Sequence, residues 1–366
     1  MKKILLGCYD APGWGGAATV LYLLFEKMQR DGLDVAYVNL VNAKDEVFLR
    51  YMFGESFGNP RSLENVHTCI LEDPLWRRQP ALADLTDTVA PDLLLGFGFI
   101  AARLLKLAAQ RSPVVFMTAG SRQLQQLIEA GAIKDFMGFK RNVERGVVFP
   151  TQEWQEYQAM GACDLVIVHS PLVRFALEYF FPGYAGKIYS NTVSVADIIY
   201  PEANEFASLK LPFTERDIDV IFVASSWDRP EKNYSLARKI VSRCRGMNIH
   251  IVGEISRPCP GAQHHGLITQ REILYGLLGR TKTMVCPSRI DAAPGVLFEA
   301  SAMDCNLVTS PNAGNWQLCN DQLVAEHCSV ESFEAKINRS LSGQHKDNRE
   351  RFRGGYADLI DTLSIF

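Results

Sequence analysis

"DVIFVASSWDRPEKNYSLA", residues 219–237, reads as a second beginning. Its first seven residues form a continuous apolar run, as expected of a strand buried on both faces of a parallel sheet. A charged loop follows, and then a helical pattern opening at Asn233, a residue type that suits a helix N-cap. The same unit starts the chain, as "KILLGCY" (3–9) and then "DAPGWGGAATVL" (10–21). Between the two beginnings lie the strand candidates "DVAYVNL" (34–40), "VHTCIL" (66–71), "DLLLGFG" (92–98), "VVFMTAG" (114–120) and "DLVIVHS" (164–170). The helical patterns "AATVLYLLFEKMQRDG", "IAARLLKLAAQR" and "PLVRFALEYFF" separate them, the first stopped by Gly32 and the last opened by Pro171. After the restart come "NIHIVGE", "TMVCPS" and "LVTS", alternating with "YSLARKIVSRCR", "QREILYGLLGR" and "GVLFEASAMDC". Strand–helix alternation predicts an α/β fold with parallel sheets. The polar, proline-containing "YPEANEFASLKLPFTERD" (200–217) marks the join. Two doubly wound domains are expected, over residues 1–195 and 196–349, with a terminal helix at about 350–366 packing back on the first.

A chain of 366 residues, 47% hydrophobic and 22% charged, is long enough for two full cores. The net charge of -3 argues against a nucleic-acid binder. No apolar run approaches the ~18 residues of a membrane span. The nine cysteines are odd in number and form no CxxC pair, so they read as buried free thiols in a reducing, cytoplasmic setting. "LLGC" resembles a lipoprotein cleavage box, but it begins at Leu5, too early for a signal peptide, and reads better as a first core strand.

Ligands of doubly wound sheets bind beyond the carboxyl ends of the strands. Three loops there carry the chemistry. In the first, Gly13, Gly15 and Gly16 allow a sharp turn against a ligand, and the helix start behind them offers free N–H groups to phosphate. The loop also reads as G-x-G-x-x-A through Gly13, Gly15 and Ala18. That dinucleotide fingerprint wants an acid at the end of the second strand, where Asn39 stands. A tight turn without a ligand is the plain alternative. In the second loop, Arg229 and Lys232 beside a helix start suit a diphosphate, or equally a solvated loop. The third is "DAAPGVLFEA" (291–300). Pro294 can open a helix running to about Asp304, with Asn306 placed to end it. Asp291 then precedes the helix and Glu299 lies more than one turn inside, while Ala292, Ala293 and Gly295 leave the backbone uncovered. Taken alone, this is an ordinary helix start with a favourably placed acid.

Together the three loops resemble the retaining GT-B-fold glycosyltransferases of glycosyltransferase family 4. Pro287 and Ser288, then Asp291 and Glu299 eight positions apart, then "ASAMDCNLVTSPNAGN", are similar to that family's paired-carboxylate motif. "WDRPEKNYSLA" looks like its diphosphate loop, "GGAATVLYLL" like its Gly-Gly helix start, and "CDLVIVHSPLVRFALEYF" with "KIYSNTVSV" like its domain junction. The resemblance covers most of the chain. It implies two Rossmann-like domains facing a cleft and transfer of a sugar from a nucleotide diphosphate-sugar, with no metal or other cofactor. In those terms Arg229 and Lys232 would neutralise the diphosphate and Glu299 would bind the ribose hydroxyls. Asp291 and the amides near Gly295 and Val296 would hold the donor sugar, and Gly15 and Gly16 would bring backbone to the diphosphate or acceptor. Two positions depart from the family pattern: Asp291 stands where a Glu is usual, and Ala119 where a His is usual, with Ser121 or Arg122 as conceivable substitutes. The adjacent His264 and His265 point differently and read as a surface loop, not a metal site.

The acceptor would be a glycan or a lipid-linked molecule met by the first domain. Residues 103–145 hold eight basic and three acidic side chains, and "IKDFMGFKRNVERGVVF" (133–149) adds aromatics. This stretch suits peripheral contact with an anionic membrane face. A solvated helix with two core aromatics is the plainer reading. The rival functions are a non-catalytic binding or scaffold subunit, motivated by the departures at Asp291 and Ala119, and a nicotinamide-dependent oxidoreductase.

Overall fold

The structure, a computed structural model, describes residues 2–9, 16–42, 65–72, 77–109, 111–118, 120–151, 154–191, 194–352 and 354–366. These residues form two parallel sheets. The first contains β1 (Ile4–Cys8), β2 (Val35–Asn42), β3 (Val66–Leu71), β4 (Leu93–Phe97), β5 (Val114–Thr118), β6 (Leu165–Val168) and β7 (Ile188–Ser190), in the order β3-β2-β1-β4-β5-β6-β7. The second contains β8 (Ile218–Ser226), β9 (Ile249–Glu254), β10 (Gln263–His264), β11 (Thr281–Cys286) and β12 (Asn306–Thr309), in the order β10-β9-β8-β11-β12. Every residue of β1, β4 and β5 is buried, which is why these strands are unbroken apolar runs in the sequence. The central register sets Ile4 between Val35 and Leu93.

Helices cover both faces. They are α1 (Gly16–Arg30), α2 (Pro80–Val89), α3 (Gly98–Ala108), α4 (Arg122–Glu129), α5 (Phe136–Glu144), α6 (Trp154–Ala162) and α7 (Pro171–Phe180) around the first sheet. After them come α8 (Ser194–Asn204), α9 (Tyr234–Arg243), α10 (Arg271–Gly279), α11 (Gly295–Ala302), α12 (Val330–Ser340) and α13 (Gly355–Ser364).

One helix joins the two halves. Val195, Ala196, Ile198, Ile199 and Ala203 of α8 share a single core with Leu21 and Phe25 of α1 and with Leu297 and Phe298 of α11. The apolar face of α8 is therefore covered from both sides, so neither half can slide freely along it. Helix α13 lies on α8 and adds Leu359 and Leu363 to that core. Asp197 accepts the Gly354 and Tyr356 N–H groups, Asn191 donates to the Gly355 carbonyl at 3.0 Å, and Lys27 of α1 sits 4.2 Å from the centre of the Tyr356 ring.

A second contact between the halves lies away from α8. The Phe136 N–H donates to the Arg289 carbonyl at 3.0 Å and the Met137 N–H to Asn312 Oδ1 at 2.9 Å. Asp135 caps the Gly138 N–H at 2.7 Å. The first turn of α5 thus spends its otherwise unpaired amides on the other half. Gly314 makes the fit possible, since a methyl group there would run into the Ala292 carbonyl and the Ser170 side chain. Phe136 and Phe139 are buried against Phe175, Tyr179 and Phe180. The aromatics of 133–149 belong to the core or lie half-buried against it, and its exposed part is Lys134, Arg141, Glu144, Arg145, Gly146, Val147 and Val148.

Candidate functional site

In the second sheet the strand order reverses direction between β8 and β11. The loops leaving those two strands diverge, and a crevice opens between them. Both charged loops singled out in the sequence leave from this point. Beyond β8 the chain makes a 3-10 turn over Pro230–Lys232, and beyond β11 it runs through Pro287 to Pro294 before α11 starts. Lys232 Nζ meets Asp291 Oδ2 at 2.5 Å, with side chains only 16% and 13% exposed. The expected diphosphate cation and the expected sugar-binding acid are partners.

Asn233 is what laces the two loops. It stands at the N-cap of α9, but in the left-handed region at φ 59, and its side chain makes no capping bond. Its Nδ2 donates instead to the Pro287 carbonyl at 3.0 Å, and its Oδ1 accepts from Arg289 Nε at 3.2 Å. This corrects the expectation of a simple cap: the amide side chain ties one loop to the other. The Arg289 N–H donates to the Glu231 carbonyl at 2.8 Å and completes the lacing. Arg229 is not drawn into the Lys232–Asp291 pair. Its guanidinium holds Glu231 at 2.6 Å and its side chain is 46% exposed.

The backbone of Asp291 is clamped as well. Its N–H donates to the Asn312 carbonyl at 3.0 Å, and its carbonyl accepts from the Gly314 N–H at 2.6 Å. Helix α11 begins at Gly295, so the amides of Gly295 and Val296 lie in its first turn, with both residues partly exposed. The helix stops at Ala302, short of the expected end near Asp304. Asp304 at φ 56 turns the chain out of it. Asn306 is not the terminator: it opens β12, and its Nδ2 donates to the Ser340 and Gly343 carbonyls.

Glu299 points toward α10. Its Oε1 lies 2.7 Å from Arg271 Nη2. Arg271 also makes two 2.7 Å bonds to Glu202 of α8, and the Tyr275 hydroxyl donates to the same Glu202 at 2.9 Å. Burial works to lower the Arg271 pKa, but Glu299 and Glu202 outweigh it and raise it, so the guanidinium stays charged. Burial, then the Glu299 charge, raises the Tyr275 pKa and keeps its proton available to Glu202. Arg271 and Glu202 were missed in the sequence: Arg271 stood in the helical pattern "QREILYGLLGR", and Glu202 in the stretch taken as the join, which the structure instead puts in α8.

On the first half, Gly13, Gly15 and Ala119 lie outside the described residues. Gly16 is the first residue of α1, and α1 contacts α11. Ser121 and Arg122 are engaged elsewhere, with Glu156 at 3.2 Å and Glu129 at 2.8 Å. Two further polar groups went unnoticed. His169, just beyond β6, is buried and stacked on Phe97, and its Nδ1 pairs with the Asn191 carbonyl at 3.1 Å. Among the described residues its Nε2 has no partner, nor has either side-chain atom of buried Asn315. The signal was their place past strand ends, His169 directly after β6 in "VIVHS" and Asn315 in the loop after β12 in "SPNAGN". His265 faces His250 at 2.9 Å, and among the described residues no three potential metal ligands gather.

No family model matches the chain, and no curated protein matches its sequence. Its shape is shared with solved structures. Sucrose-phosphate synthase from Thermosynechococcus elongatus aligns at a TM-score of 0.65 and 14% identity, over 100% of this chain and 97% of that one. HepE from Anabaena, in complex with UDP, aligns at 0.64 and 14%, over the whole of both chains. UDP-N-acetylglucosamine 2-epimerase from Rickettsia bellii aligns at 0.59 and 11%, over 100% and 96%. Two Rossmann-like parallel-sheet domains in this arrangement are the GT-B fold, and GT-B glycosyltransferases are among its structural neighbours.

Proposed function

We propose that the protein is a retaining glycosyltransferase of the family 4 type. It moves a sugar from a nucleotide diphosphate-sugar to a glycan or lipid-linked acceptor. The observation that carries this reading is the Lys232–Asp291 pair at the switch point of the second sheet. A largely buried lysine held there by a single carboxylate is a cation in reserve. A donor diphosphate would draw Lys232 away and leave Asp291 to accept hydroxyl hydrogen bonds from the sugar. As the glycosidic bond breaks, the leaving diphosphate gains charge, and a lysine already in place stabilises that state most. In this reading Lys232 supplies the charge compensation that a divalent metal would otherwise supply. Gly295 and Val296 offer helix N–H groups to the donor, Gly16 brings the start of α1 to the cleft, and Arg229 screens its rim. Neighbours solved with UDP support a nucleotide-sugar donor. Among the described residues no helix is long and apolar enough to cross a membrane. The reading places the enzyme in the cytoplasm, with Arg141, Arg145, Val147 and Val148 available for peripheral contact with a membrane that carries the acceptor.

A second reading, sugar-nucleotide 2-epimerisation, has its support in the epimerase neighbours. Incubation with UDP-, GDP- and ADP-linked sugars separates the two. A transferase releases nucleoside diphosphate in an acceptor-dependent way, keeps the anomeric configuration in the product, and is insensitive to EDTA. An epimerase returns the intact nucleotide-sugar with one ring carbon inverted. Glu299→Ala should weaken nucleoside diphosphate binding by roughly 10–100-fold, the usual worth of hydrogen bonds to a charged group. Unchanged affinity in that variant overturns the nucleotide-site assignment.

A further inference from the structure

Glu299 is not a free carboxylate beside a crevice. It belongs to a cluster in which one guanidinium serves two acids. Arg271 contributes one positive charge and Glu202 with Glu299 two negative ones, so the cluster carries an excess negative charge in a largely buried place. Such a charge is costly unless hydrogen-bond donors satisfy it. Glu202 has its donors, with both oxygens on Arg271 and one also on Tyr275. Glu299 has one oxygen on Arg271 and no other side-chain partner among the described residues. An ionised carboxylate can only accept. The unfilled position therefore suits a neutral O–H donor and disfavours phosphate.

The supports differ in origin. Glu299 stands on α11, Arg271 on α10 and Glu202 on α8, the helix that carries the chain from the first sheet to the second. The bidentate bond makes the seat of Arg271, and so the direction of the Glu299 carboxylate, depend on where α8 lies. A glutamate fixed in advance binds without losing rotamer freedom at the moment of contact.

We infer that Arg271 is a positioning residue for the nucleoside half of the donor. It holds Glu299 to accept the ribose hydroxyls, and through Glu202 it ties that recognition to the helix between the two halves. The inference rests on the nucleotide-sugar reading above.

The test compares UDP, GDP and ADP with their 2′,3′-dideoxy counterparts, and with inorganic pyrophosphate, by titration calorimetry. The wild-type chain should bind one of the three diphosphates and lose roughly 10-fold or more of that affinity in the dideoxy form. In Arg271→Gln that penalty should shrink to about 2-fold, while pyrophosphate affinity holds. Arg271→Lys, lacking the bidentate fork, should fall between the two. Should Arg271→Gln fail to fold, Glu202→Gln decides, because it keeps the shape of the cluster but weakens the seat of Arg271. It too should show a reduced dideoxy penalty. A full dideoxy penalty in the variants overturns the inference and leaves the nucleotide site standing. Equal losses of nucleotide and pyrophosphate affinity make Arg271 merely structural and overturn it as well. A wild-type chain that binds none of the three diphosphates overturns the functional reading and this inference together.

Discussion

The sheet around β1 and the sheet around β8 wind alike, each reversing direction beside its first strand, yet their carboxyl edges carry different chemistry. Beyond β8 and β11 stand Lys232, Asp291 and Glu299, with Arg271 reaching Glu299 from the start of α10, all charged, largely buried and paired. At the carboxyl ends of β4 and β6 stand Phe97 and His169, a neutral stacked pair, with His169 Nδ1 on the Asn191 carbonyl. The same winding thus holds a charge-exchanging pair at the switch point in one half and, among the described residues at the ends of β4 and β6, a neutral stacked pair in the other. Fold alone does not allocate chemistry, and the site residues do. A charged edge suits the charged part of a donor.

The largest expected effect falls on the charged edge. Lys232→Ala leaves Asp291 partly buried and unpaired, which should cost about 3 kcal/mol of stability and lower nucleoside diphosphate affinity on the order of 100-fold. Adding Asp291→Ala should return most of the stability without restoring affinity. Chemical denaturation and titration calorimetry on the single and double variants check both halves of that statement. An exposed pair on the first half gives the contrast: Glu178→Gln, which breaks the Arg174–Glu178 contact, should cost about 0.5 kcal/mol or less. If Lys232→Ala proves as mild as Glu178→Gln, the two edges do not differ in the way described.

How legible this was depends on the kind of contact. Fully buried strands such as β1, β4 and β5 are continuous apolar runs and could be read directly, and β3 was placed at 66–71 to the residue. Strands β7 and β10 could not, because three and two residues at a sheet edge leave no pattern. Within the site, the eight-residue spacing of Asp291 and Glu299 was visible because both lie on one loop–helix unit. Their partners were not. Lys232 is 59 positions from Asp291, and only the strand order of the second sheet brings the two together. Arg271 carried no local signal, since its role comes from Glu202 and Glu299 on two other helices. Asn306 was expected to end α11, since an asparagine tolerates the left-handed backbone of a helix stop. The β12 pairing overrides that expectation: it buries Asn306 and leaves Asp304 to take the positive φ.

A moderate effect should come from the neutral edge. Burial lowers the His169 pKa, and the bond to the Asn191 carbonyl offsets only part of that. The folded pKa therefore lies below the unfolded one, near 6.5. Above that pH the imidazole is neutral in both states and contributes no pH dependence. Below it the unfolded chain binds the proton and the folded chain does not, so stability falls by up to about 1.4 kcal/mol per pH unit. His250 and His265 on the second half are lowered too, mainly by burial, and add to the slope. His169→Phe should flatten the decline between pH 6.5 and 5.5 by the share of one histidine, measured as the urea midpoint across that range. An undiminished slope would mean that His169 takes up its proton equally in the folded and unfolded chains, and the stacked pair would not stay neutral.

The smallest effect concerns the thiols, where the two halves should look nearly alike. All nine cysteines are free, and only Cys328 is less than fully buried. Burial pushes Cys69 up to about 11 in the first half, and Cys163 there and Cys305 in the second to about 12. Cys328 is pushed to about 11, first by burial and then by Asp135 across the contact between the halves. The thiolate is the reactive form, and at pH 7.5 it amounts to roughly one part in a thousand or less in such groups. The native chain should therefore resist thiol reagents, and access should decide the order of reaction. Cys328 Sγ lies 3.3 Å from Asn233 Nδ2, on the far side of the residue that laces the Lys232 and Asp291 loops. It should be the first thiol modified, as mapped by mass spectrometry, and a bound nucleoside diphosphate that stiffens those loops should slow it further. Cys69 and Cys163 should react only as the chain unfolds. If either of them reacts as fast as Cys328 in the native state, the first half opens more readily than its buried strands imply. The contrast between the edges would then be one of dynamics as well as charge.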